Sequence, residues 1–216
     1  MGSSLPRRLA WTGLFAVTMA YVESAVVVYL RAIYYPGGFS FPITILPDAM
    51  AAVEIGREAA TILMLVAFAA LAGADLWERF LLFCLTFGVW DIFYYVWLWI
   101  FLRWPPSLLT WDILFLIPVP WVGPVLAPVL VSAAMIACSL VLLRLKSRGT
   151  RLAFGGGPWS VGVAGGVLVL ISFMLDFRAA MDGTMPPPFR WGLFGAGMAT
   201  ALAAFAAGVR KLRRPA

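Results

Sequence analysis

Five carboxylates and one arginine lie within stretches of sequence that are otherwise apolar enough to be buried in a membrane. These six residues are Glu23, Glu54, Arg57, Glu58, Asp91 and Asp112. Each ionised side chain at the middle of a bilayer costs about 3 kcal/mol even on lenient insertion scales. Such residues therefore form proton relays, ion sites or internal ion pairs, and all three possibilities apply to this group.

The spacing of these residues predicts two polar helix faces. Glu54, Arg57 and Glu58 are three and four residues apart, which places them on one stripe of a helix. Asp91 and Tyr95 are four residues apart and share a face in the same way. This pattern is typical of a lined cavity, and equally of a tight helix contact in which a tyrosine hydroxyl caps the aspartate.

The predicted topology brings the carboxylates to similar depths. Glu23 and Asp91 each lie about fourteen residues from the end of their span nearest the chain termini, which is ~21 Å at the rise of an α-helix. Glu54 and Glu58 lie ~9–15 Å from the opposite edge, and Asp112 comes from that same edge. The group is therefore predicted to occupy the middle and one half of the bundle.

Charge counting indicates what the group holds. Arg57 and Arg31 neutralise two of the five carboxylates, so the remainder hold protons or a cation. The chain contains no histidine, which excludes His-ligated haem and His-rich zinc sites, and oxygen ligands favour hard divalent cations such as Mg²⁺, Ca²⁺ or Mn²⁺. The candidate metal ligands are Glu23, Glu54, Glu58 and Asp91. The candidate ion- or substrate-binding residues are Glu23, Glu54, Arg57, Glu58, Asp91, Tyr95 and Asp112. The alternative is a purely structural latch of ion pairs between the second and third spans.

Composition determines the class of protein that positions these residues. Of 216 residues, 63% are hydrophobic and 12% charged, and the mean hydropathy is +0.95. A soluble domain is nearer half apolar and a quarter charged. The sequence predicts an all-α, polytopic integral membrane protein with about six transmembrane helices in a single domain, 1–216. The predicted spans are residues 9–32, 48–72, 77–103, 109–145, 158–177 and 190–209.

The fourth predicted span is broken by prolines. It is too long for one straight crossing, and Pro118, Pro120 and Pro124 lie in its first half. Proline removes a backbone donor and clashes with the preceding helical turn. We expect a short piece at 109–117, a bend near 118–124 and a membrane span over about 123–145. Broken helices at membrane depth often line a cavity.

Basic residues predict the orientation of the chain. One side of the predicted topology carries eleven basic residues and the other carries four. The eleven are Arg7, Arg8, Arg79, Arg144, Lys146, Arg148, Arg151, Arg210, Lys211, Arg213 and Arg214. The four are Arg31, Arg103, Arg178 and Arg190. Because positive charge marks the cytoplasmic side, both termini are predicted to be cytoplasmic. The net charge of +6 is explained by this asymmetry, so no nucleic-acid partner is expected.

The last two predicted spans differ from the others, since they lack central charges and carry small residues at helical spacing. Gly162 and Gly166 form one such pair, and the sixth span has a small residue at every fourth position from Gly192 to Gly208. Small faces allow helices to approach closely. They predict packing within the bundle, or an interface with a second copy or another membrane subunit. Tryptophans at the span ends, such as Trp104, are predicted to form an interfacial aromatic belt.

Three functions are compatible with these features. The first is a proton- or cation-linked transporter that uses the carboxylate group. The second is a membrane-embedded enzyme, with or without a metal, that acts on a lipid-like substrate. The third is an accessory subunit of a larger membrane complex, in which the charges hold the bundle together. No motif in the sequence identifies a reaction or a substrate.

Overall fold

The computed structural model describes residues 5–212 and contains six long apolar helices, which confirms an all-α, polytopic membrane protein. A short two-stranded sheet interrupts the helices. The elements in chain order are α1 (Leu5–Tyr34), α2 (Asp48–Ala72), α3 (Leu76–Leu102), β1 (Trp111–Phe115), β2 (Trp121–Pro124), α4 (Leu126–Ser147), α5 (Gly156–Met174), α6 (Phe177–Met181) and α7 (Trp191–Leu212).

Large apolar side chains cover the outside of the long helices. Leu63 is 66% exposed and Val22 is 63% exposed, for example. A water-soluble protein does not expose apolar surface on this scale. All six long helices are also long and apolar enough to cross the hydrocarbon core. The chain is therefore an integral, multi-pass membrane protein in a lipid bilayer.

The bundle has two ends, which we name by their contents. The terminal side holds the start of α1 and the end of α7, and the hairpin side holds the β-strands and the loop between α1 and α2. On the terminal side Asp75 caps α3 by accepting from the Glu78 backbone N–H at 3.1 Å. Arg8 forms an ion pair with Glu78 at 2.9 Å, and Lys146 forms one with Asp75. These pairs join the start of α1, the start of α3 and the end of α4.

The broken fourth segment is confirmed, and its first piece is a β-hairpin. β1 and β2 are antiparallel, with Asp112 opposite Gly123 and Ile113 opposite Val122. The prolines between them prevent a helix, while strand pairing satisfies the backbone groups that a membrane interior leaves without water. Phe115, at the end of β1, packs near Trp90 on α3. The hairpin therefore reaches into the helical bundle.

Small residues bring helices together at two places. A Cβ atom on Gly88 of α3 would lie 2.7 Å from the backbone oxygen of Ser132 on α4. On the other side of the molecule, a Cβ on Gly165 of α5 would lie 2.6 Å from the backbone nitrogen of Ala201 on α7, and one on Gly197 would lie 2.8 Å from the oxygen of Gly165. The small faces of the last two spans thus pack against each other within the chain.

The packing face of α5 and α7 coincides only in part with the one suggested by the sequence. Gly162 and Ala204, both on predicted small faces, meet each other, since a Cβ on Gly162 would lie 3.8 Å from that of Ala204. Gly166 and Gly192 have open space where a Cβ would be, and the closest contacts are made by Gly165 and Gly197. A spacing of four alone does not distinguish neighbouring faces of a helix that is rich in glycine and alanine throughout.

Candidate functional site

Helix α2 supplies the central arginine of the site. Arg57 donates through Nε to Glu54 Oε2 at 3.0 Å on its own helix, and it forms an ion pair with Glu23 on α1. Thr61, one turn further along the same stripe, donates its hydroxyl to Glu23 Oε2 at 2.9 Å. Because the predicted stripe of α2 faces α1, one guanidinium is shared by two carboxylates.

Glu58 connects α2 to the hairpin. Its Oε2 accepts the backbone N–H of Leu116, which follows β1 directly, at 2.7 Å. The residue is 8% exposed. The backbone N–H is a neutral donor, so this contact holds the hairpin in place without neutralising an ionised carboxylate.

Asp91 lies where α3 and α4 approach each other. Its Oδ2 accepts the hydroxyl of Ser132 on α4 at 2.7 Å. Gly88, one turn before Asp91, is the residue that permits this approach, because any side chain there would meet the Ser132 backbone. Asp91 is 8% exposed and Ser132 is 1% exposed, so the pair is enclosed by the bundle.

Asp112 belongs to a second group nearer the loops of the hairpin side. Its Oδ1 lies 3.4 Å from Nη2 of Arg31, and its Oδ2 accepts the hydroxyl of Tyr95 at 3.2 Å. The Arg31 guanidinium lies over two aromatic rings, with its Cζ 3.7 Å from the Trp104 centroid and 4.2 Å from that of Phe39. Trp104 is thus buried against Arg31 and does not form part of an interfacial belt.

Two cavities connect these residues. The smaller, of about 50 Å³, lies inside the bundle, and Glu23, Asp91 and Tyr95 line it. The larger, of about 510 Å³, lies between α1, α2, the hairpin and the loop after α1, and Glu54, Arg31 and Asp112 line it. Four residues line both cavities: Arg57, Glu58, Tyr94 and Ile113. Glu58 therefore lines both the smaller cavity inside the bundle and the larger cavity on the hairpin side.

All seven residues predicted to bind an ion or substrate line at least one cavity. Five of them line the smaller cavity: Glu23, Arg57, Glu58, Asp91 and Tyr95. Four line the larger one: Glu54, Arg57, Glu58 and Asp112. Arg57 and Glu58 line both. The sequence-based prediction omitted Thr61, Ser132 and the Leu116 backbone. Thr61 lies on the Arg57 stripe and could have been found by its spacing, whereas no side-chain pattern indicates the Leu116 N–H.

The charges of the site are unequally distributed. Two arginines serve three of the buried carboxylates: Arg57 pairs with Glu23 and Glu54, and Arg31 pairs with Asp112. Among residues 5–212, Glu58 and Asp91 form no ion pair with any lysine or arginine. Their donors are neutral groups, a backbone N–H and a serine hydroxyl.

The carboxylates do not converge on a common point. Within residues 5–212, no group of three or more Asp, Glu, Cys or His side chains has a geometry that could hold a metal ion. Instead the acids hydrogen-bond to separate partners on different elements: Glu23 to Thr61, Glu58 to Leu116 and Asp91 to Ser132. A cavity bordered by separate carboxyl groups suits the storage and movement of protons better than the tight oxygen shell of a divalent cation.

Asp75, an exposed acid just before α3, has a pKa that its neighbours shift. The Lys146 ammonium, followed in size by the Glu78 backbone N–H, lowers the pKa of Asp75 below its ordinary value. This exposed group stabilises the end of α3 and lies at the far side of the bundle from the cavities. It has no part in the site.

Comparison with known protein families, curated proteins and solved structures finds no match for this chain. Any function assigned to it rests on the geometry of its own residues.

Proposed function

We propose that the protein is a proton-linked carrier in which Glu58 and Asp91 bind and release protons. Its substrate occupies the larger cavity and the proton pathway runs through the smaller one. Glu58 borders both spaces, so it is the residue at which proton binding and substrate binding meet.

One observation carries this proposal: two buried carboxyl groups face a shared cavity with neutral donors as their hydrogen-bond partners. Glu58 and Asp91 both line the smaller cavity. An ionised carboxylate at this depth costs several kcal/mol unless a cation balances it. Arg57, the nearest guanidinium on the same stripe, already serves two other acids. Proton binding removes this cost, and substrate-dependent proton release restores it.

The orientation of the carrier follows from the basic residues. We place the terminal side in the cytoplasm, since nine of the thirteen basic residues at the span ends within residues 5–212 lie there. Arg213 and Arg214, which the sequence analysis also assigns to the cytoplasmic side, lie outside the described residues. With this orientation the larger cavity faces the outer half of the membrane, and Asp91 lies deeper on the path towards the cytoplasm.

Infrared difference spectroscopy tests the proton-binding residues without knowledge of the substrate. Purified protein in lipid nanodiscs is taken from alkaline to acidic pH, and the C=O stretch of protonated carboxyl groups is recorded. We expect a band that loses separate components in Glu58→Gln and in Asp91→Asn. Asp75→Asn, which alters an exposed acid far from the cavities, is the matched control and should leave those components unchanged.

Proteoliposomes test the transport step. A pH-sensitive dye inside the vesicles reports proton movement when candidate substrates are added outside. Substrate-driven proton uptake is expected for the wild-type protein, with loss in Glu58→Gln. Substrate uptake that continues in Glu58→Gln and Asp91→Asn with unchanged proton coupling would contradict the proposal.

A second function is supported by the walls of the larger cavity. Its lining combines apolar side chains with Glu54, Glu58 and Asp112, which suits an enzyme that holds a lipid-like substrate beside acid and base groups. In that case Glu54→Gln and Glu58→Gln, which alter two acids of this lining, should abolish turnover of the substrate by purified protein. Unchanged turnover in both variants would exclude it.

The small residues of α5 and α7 support a role as an accessory subunit less than the sequence alone suggests. Gly165 and Gly197 are used by the contact between α5 and α7 within the chain, so these residues require no second copy or other subunit to explain them. Native electrophoresis in mild detergent tests this role, because a subunit of a larger complex migrates well above 23.6 kDa.

A further inference from the structure

The larger cavity contains a buried arginine whose hydrogen-bonding capacity is only partly used. Arg31, near the end of α1, is 7% exposed and lines the cavity. Its Nη2 lies 3.4 Å from Asp112, longer than the ~2.7–2.9 Å of a charge-assisted hydrogen bond. Its Nη1 has no hydrogen-bond partner among residues 5–212. A buried donor without a partner destabilises the fold, so an acceptor at this position would stabilise the protein.

The guanidinium is held in a fixed orientation. Trp104 and Phe39 lie within 4.2 Å of its Cζ atom, and Tyr95 holds Asp112 from the other side. Asp112 accepts one side-chain donor on each carboxylate oxygen, Nη2 of Arg31 on Oδ1 and the Tyr95 hydroxyl on Oδ2, and the Nη1 donor of Arg31 is not among them. A preorganised planar fork of this kind binds carboxylate and phosphate groups with two parallel hydrogen bonds.

The remaining walls of the cavity are mainly apolar. Aliphatic side chains come from α1, from the loop after it and from the segment between the strands. Six of them are Val27, Leu30, Ile43, Ile45, Leu116 and Val119. A volume of about 510 Å³ falls within the ~300–1,000 Å³ that is usual for small-molecule sites. The cavity therefore offers an anchor for an anion at Arg31 and room for an apolar chain.

We propose that the larger cavity binds an amphiphile with an anionic oxygen head group, a carboxylate or a phosphate, which accepts hydrogen bonds from Arg31. Its apolar chain lies along the aliphatic walls. This inference rests on the proposed carrier function and names its substrate class. The same head-group chemistry occurs in a free fatty acid and in a membrane phospholipid, and the experiment below distinguishes the two.

Other charged groups restrict where the head group lies. Asp48, Glu54 and Glu58 on α2 also line the cavity and repel an anion, and Arg57 is already paired with two acids. Arg31 lies on α1, and its ion-pair partner among residues 5–212 is Asp112 on β1, not an acid of α2. The head group therefore binds at the Arg31 end, and the apolar chain extends away from the acids of α2.

Isothermal titration calorimetry with dodecanoate tests the site. The protein is held in phosphatidylcholine nanodiscs, and empty nanodiscs correct for partition into the lipid. We expect saturable binding to the wild-type protein and binding weakened about tenfold or more when the charge-assisted hydrogen bonds are lost. Arg31→Gln/Asp112→Asn removes both members of the pair and so leaves no unpaired buried charge. Arg103→Gln is the matched control, because Arg103 is an exposed arginine near Trp99, on the same side of the bundle and outside the cavity lining.

Three further measurements keep the test decisive. Arg31→Lys, which retains the charge and loses the fork, should weaken dodecanoate binding several-fold even if the double variant fails to fold. If nanodiscs that contain phosphatidylglycerol abolish dodecanoate binding by competition, the source of the head group is a phospholipid; unchanged binding indicates a free fatty acid. Equal binding of dodecanoate by wild type, Arg31→Lys and the double variant would overturn the proposal, as would preferential binding of dodecyltrimethylammonium.

The outcome is separable from that of the carrier proposal. The infrared bands assigned to Glu58 and Asp91 are recorded without dodecanoate, so their presence can be judged separately from ligand binding at Arg31. If those bands are present and dodecanoate does not bind, the substrate class is wrong and the proton sites remain. If dodecanoate binds through Arg31 and the bands are absent, the proton-linked function is wrong.

Discussion

Replacing Gly88 by alanine is expected to force α3 and α4 apart at the level of Asp91. The added Cβ would lie 2.7 Å from the Ser132 carbonyl oxygen and 2.9 Å from Ile136 Cγ1. Ordinary contact begins near 3.4 Å, so the α4 backbone must move by about 0.7 Å in an interior that is close-packed. The carbonyl belongs to the backbone and has no rotamer by which to move aside.

Gly166→Ala is the matched control for the size of the stability loss in Gly88→Ala. Gly166 lies within α5 and has open space around its missing Cβ. Both substitutions gain up to ~1 kcal/mol of helix propensity, and only Gly88→Ala incurs overpacking, which costs ~1–3 kcal/mol. The difference between the two variants therefore isolates the α3–α4 contact. Gly88→Ala should unfold several degrees below Gly166→Ala, since 1 kcal/mol corresponds to about 2–4 °C for chains of this size.

Thermal unfolding in one detergent, followed by tryptophan fluorescence, measures this difference. The infrared band assigned to Asp91 provides a second readout, because the displaced Ser132 hydroxyl no longer donates to it at 2.7 Å. We expect that band to shift in Gly88→Ala and to stay in place in Gly166→Ala. Equal melting temperatures and identical bands for the two variants would refute the close approach of α3 and α4 at Asp91.

Three further predictions concern separate parts of the molecule. Glu58→Gln keeps an acceptor for the Leu116 N–H at the same position, so the free energy of unfolding should change by less than about 1 kcal/mol. Substrate-driven proton movement should be lost in the same variant. A large loss of stability would instead indicate a purely structural role for Glu58. Asp75 has a lowered pKa, so its contribution to folding stability is present above the ordinary Asp pKa of about 4 and is lost as the pH falls through the pKa of the folded state. The difference in melting temperature between wild type and Asp75→Asn should therefore shrink in acid, and a constant difference would contradict this. Gly197→Ala should lower the melting temperature relative to Gly195→Ala, because only position 197 meets a neighbouring helix within 4 Å; equal values would show that α5 and α7 do not pack as described.

The sequence was sufficient to predict the helices and the buried polar residues that line the cavities, for physical reasons. Apolar runs of about 20 residues have few alternatives to a membrane helix, and acids within such runs are too costly to occur by chance. Glu58 and Asp91 could therefore be recognised as candidates for a cavity lining without a structure. Their partners could not, because the Leu116 N–H is a backbone group and Ser132 resembles any small residue in an apolar helix.

The hairpin and the role of Arg31 lay beyond what the sequence patterns indicate. Prolines in the fourth segment predict where a helix ends, but not that the flanking residues pair as strands. In the sequence Arg31 is indistinguishable from an ordinary neutralising charge, since it lies at the end of a span where basic residues are usual. Its burial depends on Trp104 and Phe39. Trp104 is far away in the chain and Phe39 lies in the irregular loop after α1, so neither is related to Arg31 by a helical spacing.

Strand β1 is the element that links the two proposed activities. Asp112 near its start holds Arg31, and the N–H of Leu116 just beyond its end holds Glu58. Four residues of extended chain separate them, a span of ~13 Å. We expect a head group that draws Arg31 away from Asp112 to shift β1, and the same shift to alter the hydrogen bond that Glu58 accepts.

Coupling between ligand and proton is reciprocal. If ligand binding changes the proton affinity of Glu58 by some factor, protonation of Glu58 changes the ligand affinity by that same factor. Glu58→Gln makes this side chain permanently neutral. The affinity of the variant for dodecanoate should therefore vary less with pH than the affinity of the wild-type protein. An unaltered pH dependence of affinity would show that β1 does not carry the coupling.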